Sequence, residues 1–170
     1  DVEVRPDELL GALDHGWPEL LEVLNTERIV TTAGLVGAGK LALQLGTNYA
    51  RERKVFGDTP IGSYQGLQFP LAQAYAELEC ARLMNLKAAW LHDTEQPYGS
   101  EANTAEMIAS QAATKAIERA MQTMGGMGFS KEMDVERLWR DARLFHFAPV
   151  SEEMILNYIA VHDLGLPRGY

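Results

Sequence analysis

Glu27 is the residue whose type and position best suit proton transfer. It lies seven residues after Leu20, three after Leu24 and eight before Leu35, which places it on or beside a helical apolar stripe. The residues one turn away are not basic. A carboxylate in such surroundings is poorly compensated, so its pKa is expected to rise, as a general base requires. A long-range ion pair and a solvated edge position remain the alternatives.

Two other carboxylates and four histidines are weaker candidates for chemistry. Ser151 is expected to cap a helix, and acids immediately after a cap, here Glu152 and Glu153, are favoured by the helix dipole alone. The histidines have no spacing typical of metal ligands, so no metal site is predicted. They are His15, His92, His146 and His162.

Two glycine-rich segments could approach a ligand closely. The segment from Gly34 to Lys40 has the G-x-x-x-x-G-K spacing of a phosphate loop, but Leu41 replaces the required Ser or Thr and the segment lies inside a helical pattern. We expect its glycines to admit a neighbouring backbone or a flat ligand. The segment from Met124 to Phe129 has more glycines than a helix end needs, so it forms either an anion-binding turn or a complicated connection.

Helical periodicity covers nearly the whole chain, which predicts an all-α, up-down bundle of the four-helix type. The expected buried side of the second helix contains Leu67, Leu71, Leu78, Leu83, Leu86 and Trp90. Residues 1–16 are interpreted as a strand remnant of a preceding β-domain with a linker, and residues 17–170 as the helical domain. Two long and two to three shorter helices are predicted, with bounds of Trp17 to about Lys54, Tyr64 to Thr94, Asn103 to Met124, Asp134 to Phe147, and Ser151 to Asp163.

Composition argues against several partners. The chain has 24 acidic and 15 basic side chains, a net charge of -9, which disfavours nucleic acid and anionic lipid surfaces. It has no run of 18 apolar residues, so no membrane span is predicted. Cys80 is the single cysteine, which suits a reducing compartment such as the cytoplasm or the mitochondrial matrix.

In order and spacing, five motifs resemble the C-terminal helical domain of the acyl-CoA dehydrogenase family. Any one of them alone would be ordinary. They are Thr26-Glu-Arg28, Arg51-Glu-Arg-Lys-Val-Phe-Gly57, Tyr64-Gln65, Gln122-Thr-Met-Gly-Gly-Met-Gly-Phe129 and Val135-Glu-Arg-Leu-Trp-Arg-Asp-Ala-Arg143.

This resemblance implies an FAD-dependent oxidoreductase of fatty acid metabolism that dehydrogenates an acyl-CoA between its α and β carbons. It also implies a homotetramer that passes electrons to an electron-transfer flavoprotein. The isolated chain is then expected to self-associate, to hold little or no FAD and to be inactive. By correspondence with family motifs, the residues that contact FAD, mostly that of a neighbouring subunit, are Arg53, Phe56, Gln65, Gln122, Gly125, Gly126 and Ser151.

The resemblance also bears on the catalytic base. Most family members carry a glutamate before the last helix, where this chain has Pro149. A subset similar to isovaleryl- and long-chain acyl-CoA dehydrogenases carries the base on the first helix, before an arginine, and Glu27 followed by Arg28 fits that pattern. Glu27 is therefore predicted to be the base and Arg28 a substrate contact. The alternative function is a non-catalytic subunit that acts as a structural partner in a mixed oligomer.

Overall fold

A computed structural model describes residues 1–169, which are mostly helical. Short 3-10 turns occur at Pro6–Glu8, Ile61–Ser63 and Leu144–His146, and a π-helical turn at Ile159–Asp163. The regular elements are α1 (Gly16–Glu52), β1 (Lys54–Val55), β2 (Thr59–Pro60), α2 (Gln65–Asp93), α3 (Gly99–Met124), α4 (Gly126–Phe129), α5 (Val135–Arg143) and α6 (Glu152–Tyr158).

The three long helices alternate in direction. The Asn85 side chain of α2 donates to the Ile29 carbonyl of α1 at 3.0 Å, while Lys40 pairs with Glu79, so residue numbers rise along α1 as they fall along α2. The helix α3 runs parallel to α1, because Gly39 and Gly46 of α1 lie against Ala113 and Ala120 of α3. The order is therefore up, down, up.

The fourth arm of the bundle is a broken helix that runs back along α3. Trp139 donates to Glu118 at 3.2 Å, Ser110 donates to Glu152 at 2.8 Å, and Ser100 donates to Asp163. The arm is interrupted between His146 and Glu152, where Pro149 removes a backbone donor. Ser151 caps α6 as predicted, since its hydroxyl accepts from the Met154 amide. The predicted all-α, up-down bundle is confirmed.

Small side chains let α1 and α3 approach closely. A Cβ atom at Gly39 would lie 3.2 Å from the Ala113 Cα, and one at Gly46 would lie 3.0 Å from the Ala120 Cα. The buried face of α3 is largely alanine. Of the glycines between residues 34 and 40, Gly39 is thus explained by helix packing, whereas Gly34 and Gly37 have open space around them.

The prediction for the buried side of α2 is wrong in part. Leu71 and Leu78 are buried as expected, but Leu83, Leu86 and Trp90 are 58%, 51% and 57% exposed. The helix is apolar on two faces, and its alanine-rich face packs inside because α1 and α3 lie so close. The larger residues remain on the outside.

Smaller differences concern the ends of elements. The third helix begins at Gly99 rather than Asn103, and residues 126–129 form a further helical turn where only a break was expected. The connection after α1 is a short hairpin of β1 and β2. Residues 1–5 form no strand.

One window of the first helix is apolar enough to bear on the prediction that the chain has no membrane span. An 18-residue window of α1 reaches a mean hydropathy of 1.3, enough by length and composition to cross a bilayer, although no run of 18 apolar residues exists. Of this window, 39% is buried in the bundle, where residues of α1 pack against α2 and α3.

Candidate functional site

Glu27 lies at the edge of an open groove on α1. The groove has a volume of about 510 Å³ and is lined by Glu22, Val23, Thr26, Glu27 and Val30. The Glu27 side chain is exposed, and so are Val23 and Val30 on either side of it. Glu27 is therefore beside an apolar surface, as predicted, but residues 1–169 do not enclose it. Any dry cover must come from another domain or subunit.

Arg28, the next residue, points into the bundle instead of the groove. It is 3% exposed, and its Nε lies 3.1 Å from Oε2 of Glu106 on α3. Its Nη1 donates to the Asn25 side chain. The predicted contact between Arg28 and substrate is not favoured by these positions, because a partner inside the bundle holds the guanidinium.

Glu106 is fully buried, and the sequence interpretation missed it. Burial raises its pKa to about 7, and the negative charge of Glu27 adds to the rise. The Arg28 guanidinium and the Val150 backbone oppose this effect but do not cancel it. A signal existed in the sequence, because Glu106 lies one turn from Ala102 and Ala109 on the alanine face of α3.

Glu106 lies at the level where the fourth arm of the bundle is broken. The backbone of Val150 contacts it, and Val150 follows Pro149, which stands where the family resemblance would place a glutamate. The buried carboxyl of Glu106 thus lies between the two positions considered for a base, α1 on one side and the break on the other. Neither of its oxygens makes a well-aligned hydrogen bond with residues 1–169, so charge holds the contact with Arg28.

The rival carboxylate Glu152 already has partners. His146 Nδ1 lies 2.6 Å from its Oε1, and Ser110 donates to the same oxygen at 2.8 Å. The other imidazole nitrogen, Nε2, lies 2.8 Å from the Thr114 hydroxyl. This network fastens the start of α6 to α3, so Glu152 has a structural role; Glu153 is exposed.

The predicted FAD contacts, except Ser151, cluster at the opposite end of the bundle. Arg53 ends α1, Phe56 lies at the tip of the hairpin with 92% exposure, and Gln65 begins α2; all three are exposed. Phe56 has φ +51°, a conformation that turns the chain sharply at the tip. Ser151 lies instead at the break in the fourth arm, where its hydroxyl caps α6.

The second part of this end is a groove at the glycine cluster. It has a volume of about 590 Å³, and its lining includes Arg119, Gln122 and Gly125. Gly125 has φ +58° and ψ −133°, which suits glycine alone, and a Cβ at Gly125 or Gly126 would meet nothing within 4 Å. The backbone is thus open to a ligand, and amide and guanidinium donors lie beside it, as a diphosphate requires. These donors would suit the FAD diphosphate, although the carboxylate of Glu118, which accepts from Trp139, also lines the groove.

The two ends are far apart. From Glu27 to Arg53 the helix α1 advances 26 residues, or about 39 Å at 1.5 Å per residue. Glu27 and Arg53 therefore cannot touch the same part of one ligand. Among residues 1–169, no group of three His, Cys, Asp or Glu side chains is arranged to hold a metal ion.

Comparison with known proteins identifies the family. Residues 14–162 match the model of the acyl-CoA dehydrogenase C-terminal domain. The chain is 45% identical over 172 aligned residues to acyl-CoA dehydrogenase FadE12 of Mycobacterium tuberculosis; the alignment covers all of this chain and 44% of that protein. The chain thus spans less than half the length of this curated relative.

Solved structures show the same fold. Butyryl-CoA dehydrogenase from Megasphaera elsdenii superposes with a TM-score of 0.92 and 30% identity, over 96% of this chain and 43% of that one. A chain in the structure of the electron transferring flavoprotein of Acidaminococcus fermentans gives a TM-score of 0.92 with 29% identity, over 96% and 43% of the two chains. This chain belongs to the acyl-CoA dehydrogenase family and corresponds to its C-terminal helical domain.

Proposed function

We propose that the chain is the C-terminal domain of an FAD-dependent acyl-CoA dehydrogenase in which Glu27 removes the α-proton of the acyl thioester. The observation that carries this proposal is the position of Glu27, an exposed carboxylate at a groove with apolar walls. No cation pairs with it among residues 1–169, because Arg28 is held by Glu106. A free carboxylate at an apolar surface becomes a strong base once substrate and cover exclude water.

The chemistry divides between Glu27 and the cofactor. As Glu27 takes the α-proton, bound FAD supplies the acceptor for the hydride that leaves the β-carbon, and a carbon–carbon double bond forms. Glu152 is a poor substitute for Glu27 because its carboxylate is occupied by His146 and Ser110. Pro149 has no group that accepts a proton.

The separation of the two ends supports FAD sites that two subunits share. Glu27 would serve the flavin of its own subunit, whereas Arg53, Phe56 and Gln65 lie about 39 Å away and would hold the diphosphate and adenosine of a neighbour's FAD. Gln122 and Gly125, with the adjacent Gly126, would belong to that second set. By the same correspondence Ser151 would contact the adenosine part, using the hydroxyl hydrogen that capping leaves free.

The proposed partners follow from the family and from the exposed apolar surface. FadE12 and butyryl-CoA dehydrogenase are named for acyl-CoA chemistry, which supports an acyl-CoA substrate. The structural likeness to a chain in an electron transferring flavoprotein structure supports electron transfer to such a protein. We further propose a homotetramer in the cytoplasm or the mitochondrial matrix, without nucleic acid or membrane partners.

The direct test uses the full-length protein, purified with FAD and mixed anaerobically with acyl-CoA thioesters of increasing chain length. The expected result is bleaching of the flavin absorbance by at least one thioester, followed by reoxidation when an electron-transfer flavoprotein is added. A protein that binds FAD but is bleached by none of the thioesters would instead be the non-catalytic subunit of a mixed oligomer.

A further inference from the structure

The Arg28–Glu106 pair has a feature that a simple structural link between helices does not require. The pair is buried beside Glu27, because Arg28 is the next residue in α1 and the charge of Glu27 raises the pKa of Glu106. Replacing such a pair by apolar residues is often neutral or stabilising, so a buried pair is weak evidence for a contribution to stability. Its position beside the proposed base calls for a different explanation.

The charges around Glu106 come from few groups. From α1 it faces Arg28 and Glu27. From α2, the buried residue at this level is the uncharged Asn85, which bonds the Ile29 carbonyl. From the fourth arm, the backbone of Val150 contacts Glu106. The ion pair of His146 with Glu152 lies one turn further along α3, where Ser110 donates to Glu152. Asp163 is bonded to Ser100, more than a turn before Glu106.

The guanidinium of Arg28 would weaken the proposed base if it were not neutralised. A positive charge within a few ångströms of a carboxylate favours its ionised form and so lowers its tendency to take up a proton. Glu106 offsets that charge from the far side of Arg28, at 3.1 Å, inside the bundle. The charge of Glu27 in turn acts on Glu106, so the two carboxylates and the guanidinium form one charged group at this level of the bundle.

We propose that Glu106 is a positioning residue for Glu27: its carboxylate holds and neutralises the Arg28 guanidinium within the bundle, so that Glu27 meets the substrate without a cationic partner. This inference rests on the proposed function of Glu27. It predicts that the charge of Glu106, rather than its size, determines how well Glu27 removes the proton. It also predicts that proton removal weakens when Glu106 becomes neutral.

Two substitutions in the full-length holoenzyme separate charge from shape. Glu106→Gln keeps the size and removes the charge, whereas Glu106→Asp keeps the charge and shortens the side chain. We expect Glu106→Gln to slow anaerobic flavin reduction at saturating acyl-CoA by roughly 3- to 10-fold, a small part of the 10²- to 10⁴-fold expected on losing the base itself. Glu106→Asp should stay near wild type. A packing role predicts the opposite order.

The pH profile gives a second readout that packing does not affect. Because the pKa of Glu106 is about 7, the wild-type reduction rate should fall as pH decreases through 7, and Glu106→Gln should lack that inflection. Glu101→Gln is the matched control, a partly exposed glutamate earlier on α3 that pairs with Lys87, and it should behave as wild type. A slower Glu101→Gln would show that the effect is not specific to Glu106.

The remaining outcomes are decisive as well. If Glu106→Gln reduces flavin as fast as Glu106→Asp, or keeps the inflection, the inference is wrong. If Glu106→Gln fails to retain FAD, the Asp variant decides: a rate near wild type supports the inference and a loss above tenfold overturns it. Glu27→Gln, measured alongside, separates the two proposals. If Glu27→Gln is as active as wild type, the base assignment itself has failed.

Discussion

At the scale of single residues, Glu106 places a carboxyl group inside the bundle, where ionisation of that group lowers the free energy of unfolding. Its pKa lies at about 7 in the folded chain and near its ordinary value of 4.5 when unfolded. Between these values the folded chain binds more protons than the unfolded chain. The stabilisation from this group is therefore complete below about pH 4.5 and is lost as pH rises through 7.

This linkage predicts how the stability of the domain depends on pH. The free energy of unfolding of the wild-type chain should fall between pH 5 and pH 8, with Glu106 contributing up to about 3 kcal/mol of the decrease. Glu106→Gln does not titrate, so its decrease should be smaller by that amount. Urea unfolding at several pH values measures both, with Glu101→Gln as control. Equal slopes in the wild type and Glu106→Gln would contradict the prediction.

The site residues differ in how far they could be predicted from sequence. Glu27 was proposed from sequence because periodicity places it beside an apolar stripe and because Arg28 follows it, in the pattern of one branch of the family. Its partner through Arg28 was not found, since the contact between α1 and α3 joins residues 78 apart in the chain. Periodicity describes one helix at a time, so it does not pair residues on different helices.

At the scale of elements, α2 presents an outward apolar face that nothing in residues 1–169 covers. Its members are Phe69, Tyr75, Leu83, Leu86 and Trp90, each more than half exposed. Exposed apolar residues that cluster on one helical face mark interaction sites. The face supports the proposed self-association, because a second copy of the chain is the partner that the family resemblance implies.

The face predicts a specific effect on assembly. The wild-type chain should sediment as a dimer or larger species, and Leu86→Lys should shift it towards monomer, because a charge at a covered apolar contact costs desolvation. Gln73→Lys, which adds the same charge to an exposed polar position of α2, should leave assembly unchanged. Sedimentation velocity at several concentrations measures both. Wild-type chain that remains monomeric at high concentration would contradict the prediction.

The ends of the helices were predictable where helical periodicity alone determined them. The ends of α1 and α2 were correct within two residues, because the periodicity is long and proline and glycine follow. The buried side of α2 was not, since an apolar residue is equally consistent with a core and with an interface. The early start of α3 was also missed, because Gly99 and Ser100 read as loop residues although they begin the helix.

At the scale of the whole molecule, the bundle places the proposed base and most of the FAD contacts at opposite ends. One chain would thus contribute to two flavin sites, and neither site is complete within residues 1–169. The chain also spans 44% of the length of FadE12. We therefore expect little FAD on this chain alone, because the isoalloxazine would lack its cover, and we expect catalysis only in the full-length assembly.

Anaerobic flavin reduction by Glu27→Gln in the full-length protein tests the central claim most directly. Glutamine has the size of glutamate, so FAD and acyl-CoA should still bind, while the rate of flavin reduction should fall roughly 10²- to 10⁴-fold. Glu19→Gln, an exposed glutamate earlier on α1, is the matched control and should react as wild type, and Glu152→Gln and Glu153→Gln should change the rate far less than Glu27→Gln. Near-normal reduction by Glu27→Gln, or a loss seen only on changing Glu152 or Glu153, would contradict the account and move the base to the last helix.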